Sequence, residues 1–301
     1  MIEELGFPFI YGSALAFGLV VGSFLNVVIH RLPLGESVVS PRSRCPGCGS
    51  AISARDNIPV ISYLLLKGRC RNCHQGVSLR YPAVELVTGL LFVAMAWRFG
   101  PTVMAPLYMV FASAMVVVAL IDFDHQIIPD EISLGGLVFG LAVVPVARSF
   151  SQGDAYLSEL WRSVLAACIG AGFLWSVGFF HARLSAITGR QFPHWPGEGE
   201  ALPRPSEPDY WLWFPGMGLG DVKLLAMVGV FLGPWGVLDT LLGASLLGLG
   251  LGLLWGLVSR SWSSPFGFGP ALAAGALLAL FVPLHGLWLR FALAGVETGS
   301  P

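Results

Sequence analysis

Charge in this chain is both scarce and segregated, and that confines what it can fold into. Of 301 residues 35 are charged, and 19 of those fall in two windows, 31–80 and 183–223, leaving long stretches with almost none. A soluble domain carries about 25% charged residues; this chain carries 12% and is 55% apolar. The net charge of −1 excludes a basic protein that coats nucleic acid, and the composition excludes disorder and a disulfide-scaffolded miniprotein. What remains is an all-α polytopic membrane protein carrying two polar insertions.

About 20 apolar residues cross the ~30 Å hydrocarbon layer as a helix, which satisfies its own backbone groups. Candidate spans lie near 7–29, 82–99, 103–121, 132–148, 162–182, 222–234, 237–258 and 268–292, giving about eight transmembrane helices. The sixth is short. At Gly233-Pro234-Trp235-Gly236 a turn would give two antiparallel helices and a kink one broken helix. The start, Met-Ile-Glu-Glu, has no positive n-region, so the first span is expected to remain as an anchor. With the 31–80 loop in the cytosol, the cations divide 13 inside to 4 outside (Arg98, Arg148, Arg162, Arg290), which puts both termini outside the cytoplasm. The third span then ends at Asp122 and the sixth begins at Asp221 on the cytosolic face.

Four of the five cysteines form two Cys-x-x-Cys pairs, Cys45/Cys48 and Cys70/Cys73, separated by 21 residues. Each short turn can present two thiolates to one ion, the pattern of a tetrahedral Cys₄ zinc site. Arg44, Arg69 and Arg71 are expected to favour thiolates, and metal binding to supply much of the folding energy of so small a zinc-ribbon-like insertion. The competing readings are a thiol–disulfide relay and two disulfides, and a reducing cytosol disfavours stable disulfides. A nucleic-acid ribbon is set aside because the loop has little aromatic interleaving. Cys168 reads as a small packed residue in an apolar span.

Asp122 directly follows an apolar run, and ionisable residues at membrane depth are costly enough that function is the default reading. Asp124, Asp130 and Glu131 read instead as interfacial, with Asp130 available to cap the next helix. Asp221 ends Gly216-Met-Gly-Leu-Gly-Asp, whose alternate glycines permit close backbone approach. No Gly-Lys-Ser/Thr follows and no parallel sheet is expected, so a nucleotide loop is rejected. Two carboxylates can share a proton, one activating water and the other donating to a scissile carbonyl. Proton or cation transport competes with this reading.

These residues resemble the type 4 prepilin peptidases, the bifunctional leader peptidase and N-methyltransferase enzymes of type IV pilus and type II secretion systems. The resemblance runs in order through Gly22-Ser-Phe-Leu-Asn-Val-Val-Ile-His-Arg-Leu-Pro33, Asp56-Asn-Ile-Pro59, both cysteine pairs, Arg80-Tyr-Pro-Ala-Val-Glu85, Asp122 to Asp130, and Gly216 to Lys223. It implies an eight-span aspartyl protease of the presenilin-like GxGD kind in the bacterial inner membrane, with Asp122 and Asp221 catalytic on the cytosolic side. The implied substrates are prepilins or pseudopilins with a basic leader ending in Gly before a hydrophobic helix, cut at a Gly-Phe type bond. The new terminus is then N-methylated from S-adenosylmethionine.

No familiar donor site is visible in 31–80. Asn26, Arg31, Asp56, Asn57, Arg80 and Glu85 are the polar members of the matching N-terminal motifs, and Asn26, Arg31, Arg80 and Glu85 are candidates for the donor pocket. Snorkelling competes as a reading of Arg31 and Arg80, whereas Glu85, inside an apolar span, is expected to pair with a cation or a donor group. The expected organisation is a first helix at 1–30, a Cys₄ zinc domain at 31–80 and a protease domain at 81–301. Within the last, residues 190–215 carry six of the 21 prolines and form a loop. Trp195, Tyr210, Trp211 and Trp213 would make that loop an interfacial anchor or a flap, against a plain surface loop. A membrane thiol-redox protein or ion-coupled transporter stands as the alternative function, although transport sites usually lie at mid-membrane.

Overall fold

The computed structural model describes residues 2–189, 203–215, 217–259 and 267–286. Arg190 to Leu202, including Trp195, lie outside the described residues, as do Gly216, Arg260 and the stretch from 287 onward that includes Arg290. The chain forms two compact units, Met1–Ile127 and Ile128–Pro301. Among the described residues no extended strand occurs, only isolated bridges. Six helices among the described residues are long and apolar enough to cross a membrane, against about eight expected.

The first unit contains α1 (Ile2–Arg31), the one-turn α2 (Ile61–Leu65), α3 (Arg80–Phe99) and α4 (Met104–His125). With lipid outside, little hydrophobic drive remains between helices, and small residues let backbones approach. Gly22 shows this: a Cβ there would lie 2.6 Å from the Glu85 Cα, so α1 and α3 pack against each other along their backbones. One turn further along α1, Asn26 Nδ2 donates to the Tyr81 carbonyl at 3.1 Å. α4 is the innermost helix of this unit, with Phe111, Met115, Val118 and Ile121 fully buried. It does not stop at Asp122 but continues to His125, so Asp122 sits in its last turn.

The second unit contains α5 (Asp130–Gln152), α6 (Tyr156–Ile187), the short α7 (Pro208–Leu212), α8 (Leu219–Ser259) and α9 (Gly269–Ala279). α8 is interrupted at Gly233, whose φ of 76° and ψ of −179° no helix accommodates and no β-carbon tolerates well. Pro234 opens the second segment, where its missing N–H costs nothing. The first segment, 219–232, is among the best buried in the molecule, and Gly229 brings α6 close: an added Cβ would collide with the Ala166 carbonyl. Cys168, expected to be packed, is instead exposed on α6, where a residue so small and apolar can face lipid as readily as protein.

The break at Gly233 is served by buried charge. Arg148 Nη2 donates at 2.8 Å to the Phe231 carbonyl, whose i+4 position, Trp235, lies beyond the break. Arg148 and Arg162 both approach Glu159 at 3.6 Å. Arg148 and Arg162, two of the four cations expected on the outer side, both stand on helices, and Arg148 is 5% exposed. The span expected over 268–292 also differs. α9 ends at Ala279 and the chain turns through 280–283, where Pro283 has no N–H to extend a helix.

Candidate functional site

The two cysteine knuckles are copies of one local structure. Residues 44–51 and 69–76 each close with an antiparallel bridge, Arg44 to Ala51 and Arg69 to Gly76. Each places the first cysteine N–H on a carbonyl five residues on, Cys45 to Ser50 and Cys70 to Gln75, both at 2.9 Å. Each also has a left-handed residue after its second cysteine, Gly49 (φ 69°) and His74 (φ 59°). The spacing of the cysteines foretold the knuckles but not this repeat, because Gly and His share no side-chain property.

The four sulfurs lie within 4.8 Å of one another, and Cys45 Sγ and Cys73 Sγ are 3.7 Å apart. A tetrahedron with ~2.3 Å arms has edges of about 3.8 Å, whereas a disulfide requires ~2.05 Å. All four thiols are free, and the cluster can hold a metal ion. Metal-free, the thiols separate in acidity. Hydrogen bonds from the Ser50 side chain and backbone bring Cys48 down to about 6. At Cys73 the Gln75 backbone pulls the same way, but burial and the three neighbouring sulfurs outweigh it and push the thiol to about 11. The arginines expected to favour thiolates are not the cause: Arg71 is committed to Asp56 through Nη2 at 2.6 Å and Nε at 2.9 Å. Those bonds, followed by one from Ser53, hold the Asp56 carboxyl below its usual range.

Beside the knuckles, a cavity of about 540 Å³ lies between the last turns of α1, the first turns of α3 and the insertion. Asn26, Arg31 and Glu85, three of the four candidates for a donor pocket, line it. Arg80 does not line it: its guanidinium pairs with Asp124 at 2.5 Å and reaches the Leu120 carbonyl at 3.4 Å, tying α3 to α4. Asp124 is therefore the carboxylate of an ion pair rather than a merely solvated end. Arg31 Nη1 donates to the Ser37 carbonyl at 2.9 Å. Glu85 accepts the Val60 N–H at 2.7 Å and a hydrogen bond from the Ser23 side chain, so its partners are neutral donors and not a cation. Val60 holds φ 59° and ψ −47°, a costly conformation for a β-branched residue. His30, Tyr63 and Tyr81 also line the cavity, and no spacing in the sequence singled them out.

The two candidate catalytic aspartates occupy opposite kinds of helix end, one in each compact unit. Asp122 is 6% exposed in the last turn of α4, next to the fully buried Ile121. Asp221 is 8% exposed in the first turn of α8. Gly220 before it is needed for packing, since a Cβ there would lie 3.0 Å from the Ile128 Cβ. Lys223 Nζ pairs with Asp130 Oδ1 at 2.6 Å. Pro129 is the cap residue of α5 and Asp130 its first helical residue, so Asp130 is an ion-pair partner rather than the cap expected of it.

The described part of the Pro-rich loop is fixed on α6. Trp211 stacks on Phe179 with centroids 5.4 Å apart, Trp175 Nε1 donates to the Trp211 carbonyl at 2.9 Å, and Arg183 lies 3.5 Å above the Tyr210 ring while bonding the Tyr210 carbonyl. Phe214 is buried against Gly178. The chain is thus tied down a few residues before Asp221.

Two family models match the chain. Residues 16–99 match the bacterial peptidase A24 N-terminal domain, and residues 109–253 match the type IV leader peptidase family. Among curated proteins, a prepilin leader peptidase/N-methyltransferase of Stutzerimonas stutzeri is 36% identical over 292 residues, covering 89% of each chain. One from Pseudomonas aeruginosa is 36% identical over 288 residues, 87% of each. One from Myxococcus xanthus is 40% identical over 238 residues, 79% of this chain, which spans 60% of that relative's length. No solved structure matches.

Proposed function

The chain belongs to the type IV leader peptidase family, and on that premise we propose that it removes the basic leader of prepilins or pseudopilins and N-methylates the terminus it exposes. The observation that carries this reading is the placement of Asp122 and Asp221, each buried at a helix end within the matched region 109–253. Two carboxylates brought to close range cannot both ionise at low cost, so the proposed dyad shares one proton. The ionised aspartate takes a proton from water as its oxygen attacks the carbonyl carbon of a Gly-Phe type bond. The protonated partner donates to the carbonyl oxygen. Collapse of the tetrahedral species breaks the C–N bond: the departing amine receives the proton the base had taken, and one hydroxyl of the intermediate returns its proton to the partner aspartate as the new carboxyl forms. No metal and no covalent enzyme intermediate take part.

Cys45, Cys48, Cys70 and Cys73 fit zinc by sulfur type and spacing, and the ion's role is structural: it closes two knuckles that have little core of their own. For the second activity, S-adenosylmethionine supplies an electrophilic methyl group on a sulfonium. A cavity of about 540 Å³ suits a ligand of that size. Within it Glu85 and Arg31 offer the opposite charges that a sulfonium and a carboxylate require, and Asn26 offers an amide. The acceptor is the free amine left by cleavage, so the order of the two reactions follows from the chemistry.

The organisation proposed is a first helix at 1–30, the Cys₄ insertion at 31–80 and the protease domain at 81–301. The chain lies in the bacterial inner membrane with both termini outside and its chemistry on the cytosolic face, where a basic leader is retained by the same charge rule. Mass analysis of a purified Gly-Phe substrate after incubation with the enzyme and methyl donor tests both halves. The expected product lacks the leader and carries one added methyl group. An intact substrate rejects the peptidase reading, and a cleaved but unmethylated product rejects the transferase.

A further inference from the structure

The insertion has two unlike faces along residues 58–66. Val60, Ser62, Tyr63 and Leu66 line the cavity. Ile61, Leu64 and Leu65 are absent from that lining and are 53%, 68% and 76% exposed, although all three are large and apolar. They occupy positions i, i+3 and i+4 of α2 and therefore share one face of it. A module bathed in water has no reason to gather three such side chains on a single turn, and contiguous apolar patches mark contact surfaces.

Depth along α3 identifies the contact. That helix has 20 residues, about 30 Å, the thickness of the hydrocarbon layer, so its first turns lie at the boundary. Glu85 is five residues into α3, and side chains on a helix lean toward its N-terminus. Its carboxylate nevertheless reaches the Val60 N–H at 2.7 Å. Val60 is therefore held level with the first turns of a membrane span, with α2 beginning at the very next residue. Lys67 and Arg69 follow directly, the cations that a headgroup layer attracts.

We propose that residues 58–66 dip into the interfacial layer of the bilayer, with Ile61, Leu64 and Leu65 in contact with lipid and the opposite face forming a wall of the cavity. The insertion is then anchored to the membrane at three places, the end of α1, the start of α3 and α2, which sets the cavity at the depth where a hydrophobic substrate helix begins. This inference rests on the chain being embedded in a membrane and not on either enzymatic activity, so it can fail while both activities stand.

The test uses the full chain in liposomes of phosphatidylethanolamine and phosphatidylglycerol, with an environment-sensitive fluorescent amino acid at Leu65 or, in a second variant, at Leu64. The comparison site is Val39, an apolar residue of the same insertion that is 85% exposed. Nitroxide lipids labelled high on the acyl chain are expected to quench the probe at 65 at least about three-fold more than the probe at 39, with aqueous iodide giving the reverse order. Equal lipid quenching at the two sites overturns the proposal. Iodide quenching at 65 that is relieved by adding a hydrophobic substrate helix overturns it too, in favour of a protein partner.

Discussion

The cysteine insertion and the first segment of α8 carry different chemistry, and the fold supports them by opposite means. Residues 219–232 hold Leu224, Leu225, Val228 and Val230 at zero exposure, so the helix that carries Asp221 is fixed by packing. Around the knuckles almost nothing is buried apart from Cys45 and Ser62. Order there comes from four sulfurs, the Arg71–Asp56 pair and the bond from the Val60 N–H to Glu85. Packing holds a single carboxylate in an apolar setting, whereas a polar lattice can be assembled or dissolved by what binds to it. The two regions are expected to fail differently when perturbed.

The largest effect separates activity from structure. Asp122→Asn and Asp221→Asn keep shape and much of the hydrogen-bonding capacity but would remove the proton chemistry of the proposed dyad, so each is expected to lower cleavage by about 10²–10⁴-fold. Thermal unfolding in detergent should stay at the wild-type value. A variant that cleaves normally takes its aspartate out of the dyad, and one that loses both activity and folding shows that the aspartate was structural.

The largest effect on stability, as distinct from activity, comes from metal removal, which should dissolve one region and spare the other. Structural zinc is worth ~10–16 kcal/mol of apparent binding energy in small ribbons. A strong chelator is therefore expected to expose residues 31–80 to proteolysis while 219–232 stays protected. Metal analysis should give one zinc per chain, reduced in Cys45→Ser. Equal protection of both regions after chelation would mean that hydrogen bonds alone hold the insertion.

What could be read in advance follows the same division. Apolar runs, paired cysteines and the two aspartates are local patterns; most of the described helices, the sulfur cluster and the burial of Asp122 and Asp221 appear where those patterns stand, whereas the run over 268–292 gives a helix that ends at Ala279. Long-range partners were not legible. Nothing near Glu85 in the sequence points to the Val60 N–H 25 residues earlier, and nothing near Arg148 points to the Phe231 carbonyl 83 residues later. A charge count gives Arg148 a side of the membrane but no partner, whereas the helix break supplies a buried acceptor that holds it. Arg80 shares a motif with Glu85, yet the acid paired with it is Asp124 on α4, which nothing local to the motif points to.

The cluster at the helix break gives the third prediction. Arg148 and Glu159 are 5% and 3% exposed, so removing one partner strands the other in a low-dielectric site. Arg148→Met is expected to cost about 3–5 kcal/mol in chemical denaturation, and Arg148→Met with Glu159→Gln substantially less, because the double variant leaves no buried charge. A single variant as stable as the double would show that Arg162, close to Glu159 on the same helix, is a sufficient partner by itself.

The smallest effect tests the polar lattice through pH. Arg71 holds the Asp56 carboxyl below its usual range. A carboxyl with a lowered folded pKa contributes stability that is complete above its unfolded pKa, about 3.9, and is lost as pH falls through the folded value. Asp56→Asn should therefore destabilise the metal-loaded insertion slightly at pH 7, and its deficit relative to wild type should shrink only below about pH 4. Acid also protonates the cysteines and releases the metal from both proteins, so the informative quantity is the difference between them, measured by protease sensitivity of residues 31–80 at fixed zinc. A deficit that does not change down to pH 2 would mean that Asp56 acts through its hydrogen bond to Ser53, which the amide oxygen can replace only in part, rather than through its charge on Arg71.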